Sequence, residues 1–265
     1  MNVFWRELKS YRKGLLFWGI GMIALVGSGM AKFATISSTG QSMTSLLDQF
    51  PSSVKIIFGL TGFDLDQASG YFGVLFIYIA LMAATHAALL GAGIISKEER
   101  DRTSEFLFVK PLSRFKIVTA KLLAGLLNVG LLNLVTSLAS LYFVGLVSKG
   151  TSATDFIVVS MAGLLMLQLL FFFVGTTVAA LNRRPKSSSS IATSILLFCY
   201  ILTYFINLNG QIDSLKYLTP FKYFDAKDML SSGQLNPGYV GLSLFLMAIM
   251  VSVTYRAYNR RDLTV

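Results

Sequence analysis

Six stretches without Asp, Glu, Lys or Arg, at 14–31, 67–96, 122–148, 156–182, 187–212 and 229–255, decide what this chain can become. Each has about 18 residues or more, the length a helix needs to cross a hydrocarbon core of about 30 Å. One charged side chain at the centre of such a helix costs on the order of 2.5–3.5 kcal/mol on insertion. Six clean gaps in 265 residues read as six transmembrane helices and exclude a single soluble domain. A mean hydropathy of +0.64 agrees. The expected fold is an all-α integral membrane protein, one domain over 1–265, with spans near 14–34, 71–95, 117–147, 156–181, 188–208 and 238–257.

The net charge of +10 raises the question of nucleic acid, and its distribution answers it. With the N-terminus inside, cations gather at Arg6–Lys13, over 97–121, at 183–186 and at 256–261, which takes 17 of the 23 Lys and Arg residues. The remaining lysines mix with Asp48, Asp64, Asp66, Asp155, Asp213, Asp225 and Asp228 on the other side. That is the positive-inside bias, and six spans return the basic C-terminus to the same face. The charge sets orientation and meets anionic lipid headgroups. No nucleic-acid partner is expected. The first apolar run is too long for a signal-peptide core, and the lone Cys199 lies within the fifth span, where it reads as a packing residue.

Ahead of the first span, Phe4, Leu8, Tyr11 and Leu15 recur at helical spacing while Arg6, Lys9 and Lys13 point elsewhere. This pattern predicts an interfacial helix over 2–13, apolar side toward lipid, with Phe4, Trp5 and Leu8 as anchors. The loop at 35–66 keeps a helical period broken at Pro51 and predicts a helical hairpin or interfacial helix on the outer face, and the aromatic-rich loop at 207–237 is expected either to dip into the headgroup region or to cap the bundle. In span two, Ala83, Ala87 and Gly91 repeat every fourth position and predict close helix approach. Span three carries Asn133, Thr136, Ser137 and Ser140 on one side, either helix–helix hydrogen bonds or a candidate translocation path. His86 and Gln168 stand alone and read as packing partners.

No catalytic constellation is present in the sequence. There is one histidine, no G-x-x-x-x-G-K-[ST] phosphate loop, and no mid-span acid or base for ion coupling. Leu230-Ser231-Ser232-Gly233-Gln234 imitates an ATPase signature loop, but on the side opposite the basic segments. It reads as chance.

The segment 95–121 is the anomaly, the most charged part of an apolar chain. Ser96 can cap a helix over 96–109, Glu98 and Arg102 stand at i,i+4, Phe106 and Leu107 supply an apolar side, and Pro111 ends it. Ser113-Arg114 opens the next helix. A short polar loop would join two spans equally well, so this segment reads as a docking helix for a partner.

The run Glu98-Glu99, Arg102-Thr103-Ser104-Glu105-Phe106-Leu107, Lys110-Pro111-Leu112-Ser113-Arg114 and Ala120-Lys121 resembles the linker between spans two and three of type-2 ABC transporter permeases. Arg102 stands where that family usually has Gly, and Ala120 replaces a common Gly. Phe4-Trp5-Arg6-Glu7-Leu8, Leu218-Thr219-Pro220-Phe221 and Arg260-Arg261-Asp262-Leu263 extend the resemblance over essentially the whole chain. It implies a permease subunit in a bacterial cell membrane, with both termini cytoplasmic. The chain itself would hold no cofactor; ATP and Mg would be bound by separate cytoplasmic ABC ATPase subunits. A second permease chain, identical or related, would complete the pore. Glu98, Glu99, Arg102, Thr103, Glu105, Phe106, Pro111 and Arg114 would form the ATPase-coupling contact, and the cargo would be hydrophobic or amphipathic. The alternative is a polytopic sensor or scaffold that recruits a cytoplasmic protein without transport. A lipid-modifying enzyme is disfavoured by the missing catalytic groups.

Overall fold

The computed structural model describes residues 3–39, 42–43, 45, 50–101, 113–148, 152–208 and 210–260. These form nine α-helices: α1 (Val3–Ser38), α2 (Ser52–Ile57), α3 (Ala68–Arg100), α4 (Arg114–Val147), α5 (Ser152–Leu181), α6 (Ser188–Leu208), α7 (Pro220–Tyr223), α8 (Ala226–Ser232) and α9 (Pro237–Arg260). Six of them, α1, α3, α4, α5, α6 and α9, are long and apolar enough to cross a membrane. The all-α, six-span membrane fold expected from the charge-free gaps is the fold found. The described residues contain no β-strand.

Helix α1 runs unbroken for 36 residues, about 54 Å at 1.5 Å per residue. The segment expected as a separate interfacial helix is therefore the first turns of the same helix. Its apolar side does not face lipid: Phe4, Leu8, Tyr11 and Leu15 pack on the core, and Trp5 is the exposed member. A helix this much longer than the hydrocarbon core must emerge from it, and its emergent turns lie against the equally long α3 and α4. Helix α3 likewise continues through Arg100. Ser96 caps nothing; its hydroxyl donates to the Ala92 carbonyl at 2.7 Å within that helix. Ser113 does cap α4, accepting from the Lys116 amide at 3.4 Å.

At the centre, α3 packs along α5, while α1 packs along α4, and α9 and α6 flank them. Buried positions make up 61% of the apolar windows of α3 and α5 but only 22% for α1 and α6 and 17% for α9. The inner pair is thus surrounded by protein, and the outer helices present much of their apolar surface to the outside of the bundle. Small residues make the α3–α5 contact. Ala83, Ala84, Ala87, Ala88 and Ala92 are fully buried. A Cβ at Gly91 would stand 2.1 Å from the Phe172 carbonyl oxygen, and one at Gly175 would stand 2.4 Å from that of Ala88. Two backbones can approach this closely only where neither carries a side chain. Thr177 adds a cross-helix bond, donating to the Met250 carbonyl of α9 at 3.1 Å.

Pro51 precedes α2, and the aromatic segment before α9 caps the bundle as expected. Phe221, Tyr223 and Phe224 are buried there, with Tyr223 stacked on Tyr239 at 5.1 Å. The ATPase-like Leu230–Gln234 string has a structural explanation. Gly233 takes a left-handed φ of 66° and ends α8, a conformation that glycine adopts without strain.

Candidate functional site

The charged segment resolves into two parts. Residues 102–112, which include Arg102, Thr103, Glu105, Phe106 and Pro111, lie outside the described residues. What flanks them is a buried ion cluster. Glu98, near the end of α3, pairs with the ammonium of Lys121 in α4 and accepts from Arg6 Nη2 of α1 at 2.8 Å. Arg6 also reaches Glu7 Oε1 at 2.7 Å, and Lys97 stands 3.7 Å from Glu7 Oε2. Lys121 Nζ donates to the Ile94 carbonyl at 2.5 Å, and Lys97 Nζ to Ser10 Oγ at 2.5 Å.

Burial decides the character of this cluster. The side chains of Glu7 and Lys121 are fully buried and that of Glu98 is 8% exposed, whereas Arg6 is 35% exposed. Two carboxylates and three cations pair where water barely reaches, which is how buried charges are tolerated, although Glu7 Oε2 accepts no hydrogen bond among the described residues and faces Lys97 only at 3.7 Å. The result is a clasp joining the ends of α1, α3 and α4. Its position follows from local sequence: each partner lies at the margin of an apolar run, where the helices leave the hydrocarbon. Glu98 was expected on the docking surface; its carboxylate instead faces inward and holds the clasp. The Glu98–Lys121 pairing escaped the sequence reading. Its only signal was two opposite charges at the ends of consecutive apolar helices.

Arg114, also expected at the contact, begins α4 and donates to the Asn259 carbonyl of α9 at 3.1 Å. That carbonyl belongs to the last turn of a helix, where acceptors lack intrahelical donors. Both flanks of the 102–112 segment are thereby fastened to the bundle, one through Glu98 and the other through Arg114.

The polar stripe of α4 turns toward its neighbours. Asn133 Nδ2 donates to Gln168 Oε1 of α5 at 3.1 Å and to the Met161 carbonyl at 3.2 Å. Thr136 and Ser137 bond back to the Leu132 and Asn133 carbonyls at 2.8 Å, and Ser140 is fully buried. Asn133 alone of the four makes helix–helix hydrogen bonds; Thr136 and Ser137 bond within α4, and the buried Ser140 Oγ has no hydrogen-bond partner among the described residues. Gln168 does not stand alone; it is the partner of Asn133.

At the opposite end of the bundle a cavity of about 230 Å³ lies between α3, α6 and the 221–228 segment. Phe76, Tyr200, Tyr204 and Phe221 line it, and Lys222 and Asp225, 2.8 Å apart, stand among its polar residues. The Tyr200 and Tyr204 hydroxyls share a hydrogen bond of 2.7 Å. Burial holds the Asp228 carboxyl above its ordinary range and Asp225 repels it further, against the pull of Lys222, Lys227 and Lys216. The cavity therefore offers an aromatic interior with an acid that gains from any cationic or hydrogen-bond-donating group.

A bundle of six long apolar helices with its charges kept to the helix ends and connections defines a polytopic membrane protein. The sequence profile of the family described as ABC-2 family transporter protein matches residues 1–263. The chain belongs to that family, whose members are membrane-spanning permease subunits of ABC transporters and work with an ABC ATPase subunit. No curated protein matches it in sequence.

Proposed function

We propose that this chain is the permease of an ABC exporter that moves a hydrophobic or amphipathic substrate outward, driven by ATP and Mg held on separate ATPase subunits. The basic end faces the cytoplasm on the charge asymmetry. Two such chains, identical or related, form the transporting unit in a bacterial cell membrane. The observation that carries this reading is the clasp of Arg6, Glu7, Glu98 and Lys121 beside the linker. A push on residues 102–112 from an ATPase would reach α1, α3 and α4 together rather than bending one helix. Two packings of one bundle, biased by nucleotide state, then suffice to alternate access. The aromatic cavity at the far end supports an amphipathic cargo leaving on that side.

The test is co-purification with the ATPase subunit. Glu99→Ala, Arg102→Ala and Phe106→Ala together are expected to abolish the complex and ATP-driven transport into inverted vesicles. The triple variant should still elute as folded protein. Unchanged assembly and transport would refute the docking assignment. Assembly without any ATP-dependent transport in the parent protein would favour the scaffold.

A further inference from the structure

The cavity between α3, α6 and the 221–228 segment is charged on one side and aromatic within, and its charges are not all engaged. Lys222 and Asp225 pair at 2.8 Å, and the Tyr200 and Tyr204 hydroxyls hydrogen-bond to each other. Lys227 and Asp228 also line it, yet neither side chain makes a hydrogen bond or ion pair among the described residues. They are consecutive residues of α8, close enough for the Lys227 ammonium to act on the Asp228 carboxyl through space. Lys227 is placed by its surroundings. A Cβ at Gly62 would collide with Lys227 Cε, so the lysine stem lies against the backbone of a turn where φ is +82°. Glycine alone takes that φ without strain and leaves that room.

Charge, depth and size together define a guest. The two unpaired groups are one cation and one anion. A cationic guest would satisfy Asp228 and face the Lys227 ammonium, and an anionic guest would meet the reverse conflict. A zwitterion satisfies both. The cavity reaches Leu167 and Ala80, the latter twelve residues or about 18 Å along α3 from its start, and Phe63, Phe76, Phe221 and Phe224 are among its walls. The guest therefore carries an apolar group beneath its charges. The volume of about 230 Å³ exceeds that of a cavity that holds benzene, about 150 Å³. One ring with a short stem fits. A long acyl chain has more than twice the carbons of benzene and would overfill it.

We propose that this cavity binds a small amphipathic zwitterion of the α-amino-acid type. Its ammonium meets Asp228, its carboxylate meets Lys227, and its apolar or aromatic side chain lies among Phe76, Tyr200 and Phe221. As cargo, this guest rests on the export reading; binding itself needs neither ATP nor the ATPase.

The full chain in a non-ionic detergent is titrated with phenylalanine, phenylalaninamide and N-acetylphenylalanine, and binding is followed by saturation-transfer NMR of each ligand against empty micelles. The three share one ring and carry both charges, the ammonium alone and the carboxylate alone. Phenylalanine is expected to bind saturably, and each singly charged analogue about tenfold more weakly. Lys227→Met should erase the preference over the amide and keep that over the N-acetyl compound, and Asp228→Asn should do the opposite. Both residues are exposed, so both variants should fold. Free glycine, a zwitterion without the ring, should bind about tenfold more weakly than phenylalanine. Equal binding of the three analogues overturns the proposal, as do preferences unmoved by both substitutions. Glycine binding as well as phenylalanine overturns it too, because the cavity interior then contributes nothing. Any of these results leaves the exporter reading untouched. Selective binding without ATP-driven transport of phenylalanine sustains the site and refutes its role in cargo selection.

Discussion

Replacing Gly91 or Gly175 with alanine is expected to destabilise the bundle by about 3 kcal/mol or more, at or beyond the upper end of ordinary overpacking. The new methyl would meet a carbonyl oxygen, 2.1 Å away at Gly91 and 2.4 Å away at Gly175. A side chain can rotate away from a clash, but a helix backbone cannot. The α3–α5 contact must open along its length, and those are the two most buried spans of the fold. The measurement is the fraction of monodisperse protein after detergent extraction, followed by a denaturation midpoint. Gly130→Ala and Gly145→Ala are the controls. Nothing lies within 4 Å of either position, so each should be neutral or gain up to about 1 kcal/mol from helix propensity. If all four variants behaved alike, close backbone packing would not be what holds the central pair.

Lys121→Met is the second large effect, expected to cost about 3–5 kcal/mol because it strands a buried carboxylate. Glu98 would keep Arg6, but Arg6 is partly exposed and already shared with Glu7. The double variant Glu98→Leu with Lys121→Met removes both charges and should recover most of the loss, since apolar replacements of a buried pair are commonly near neutral. A double-mutant cycle on denaturation midpoints measures the coupling between them. The same pair of variants separates stability from mechanism. If the clasp transmits the ATPase stroke, the folded double variant should assemble with the ATPase and hydrolyse ATP while transport falls. Full transport in that variant would reduce the clasp to a structural fastening.

Much of the architecture was legible in the residues, because a charge inside the hydrocarbon is forbidden more strictly than almost any other local choice. The gaps between charges marked the spans, and Ser113 marked the start of α4 through its cap. The candidate site was legible only as a location. Glu98 and Lys121 were both singled out along the chain, but nothing in their spacing said that they meet. Asn133 and Gln168, and likewise His86 and Asn128, lie on different helices, and their juxtaposition depends on how each helix is rotated about its axis.

By itself, the sequence determined six spans and membership of the ABC-2 family, and its cations are the basis of the proposed orientation. Tertiary structure decided which face of each helix is inside. In water an apolar stripe would have announced that face. In a bilayer lipid tails are as apolar as leucine, so Leu16, Phe17 and Phe198 can be exposed where Ala87 and Gly91 are buried. With hydrophobicity silent on rotation, close packing and a few polar contacts fix it. The clasp at Glu98, the glycine contact at Gly91 and the meeting of His86 with Asn128 are therefore properties of the folded bundle.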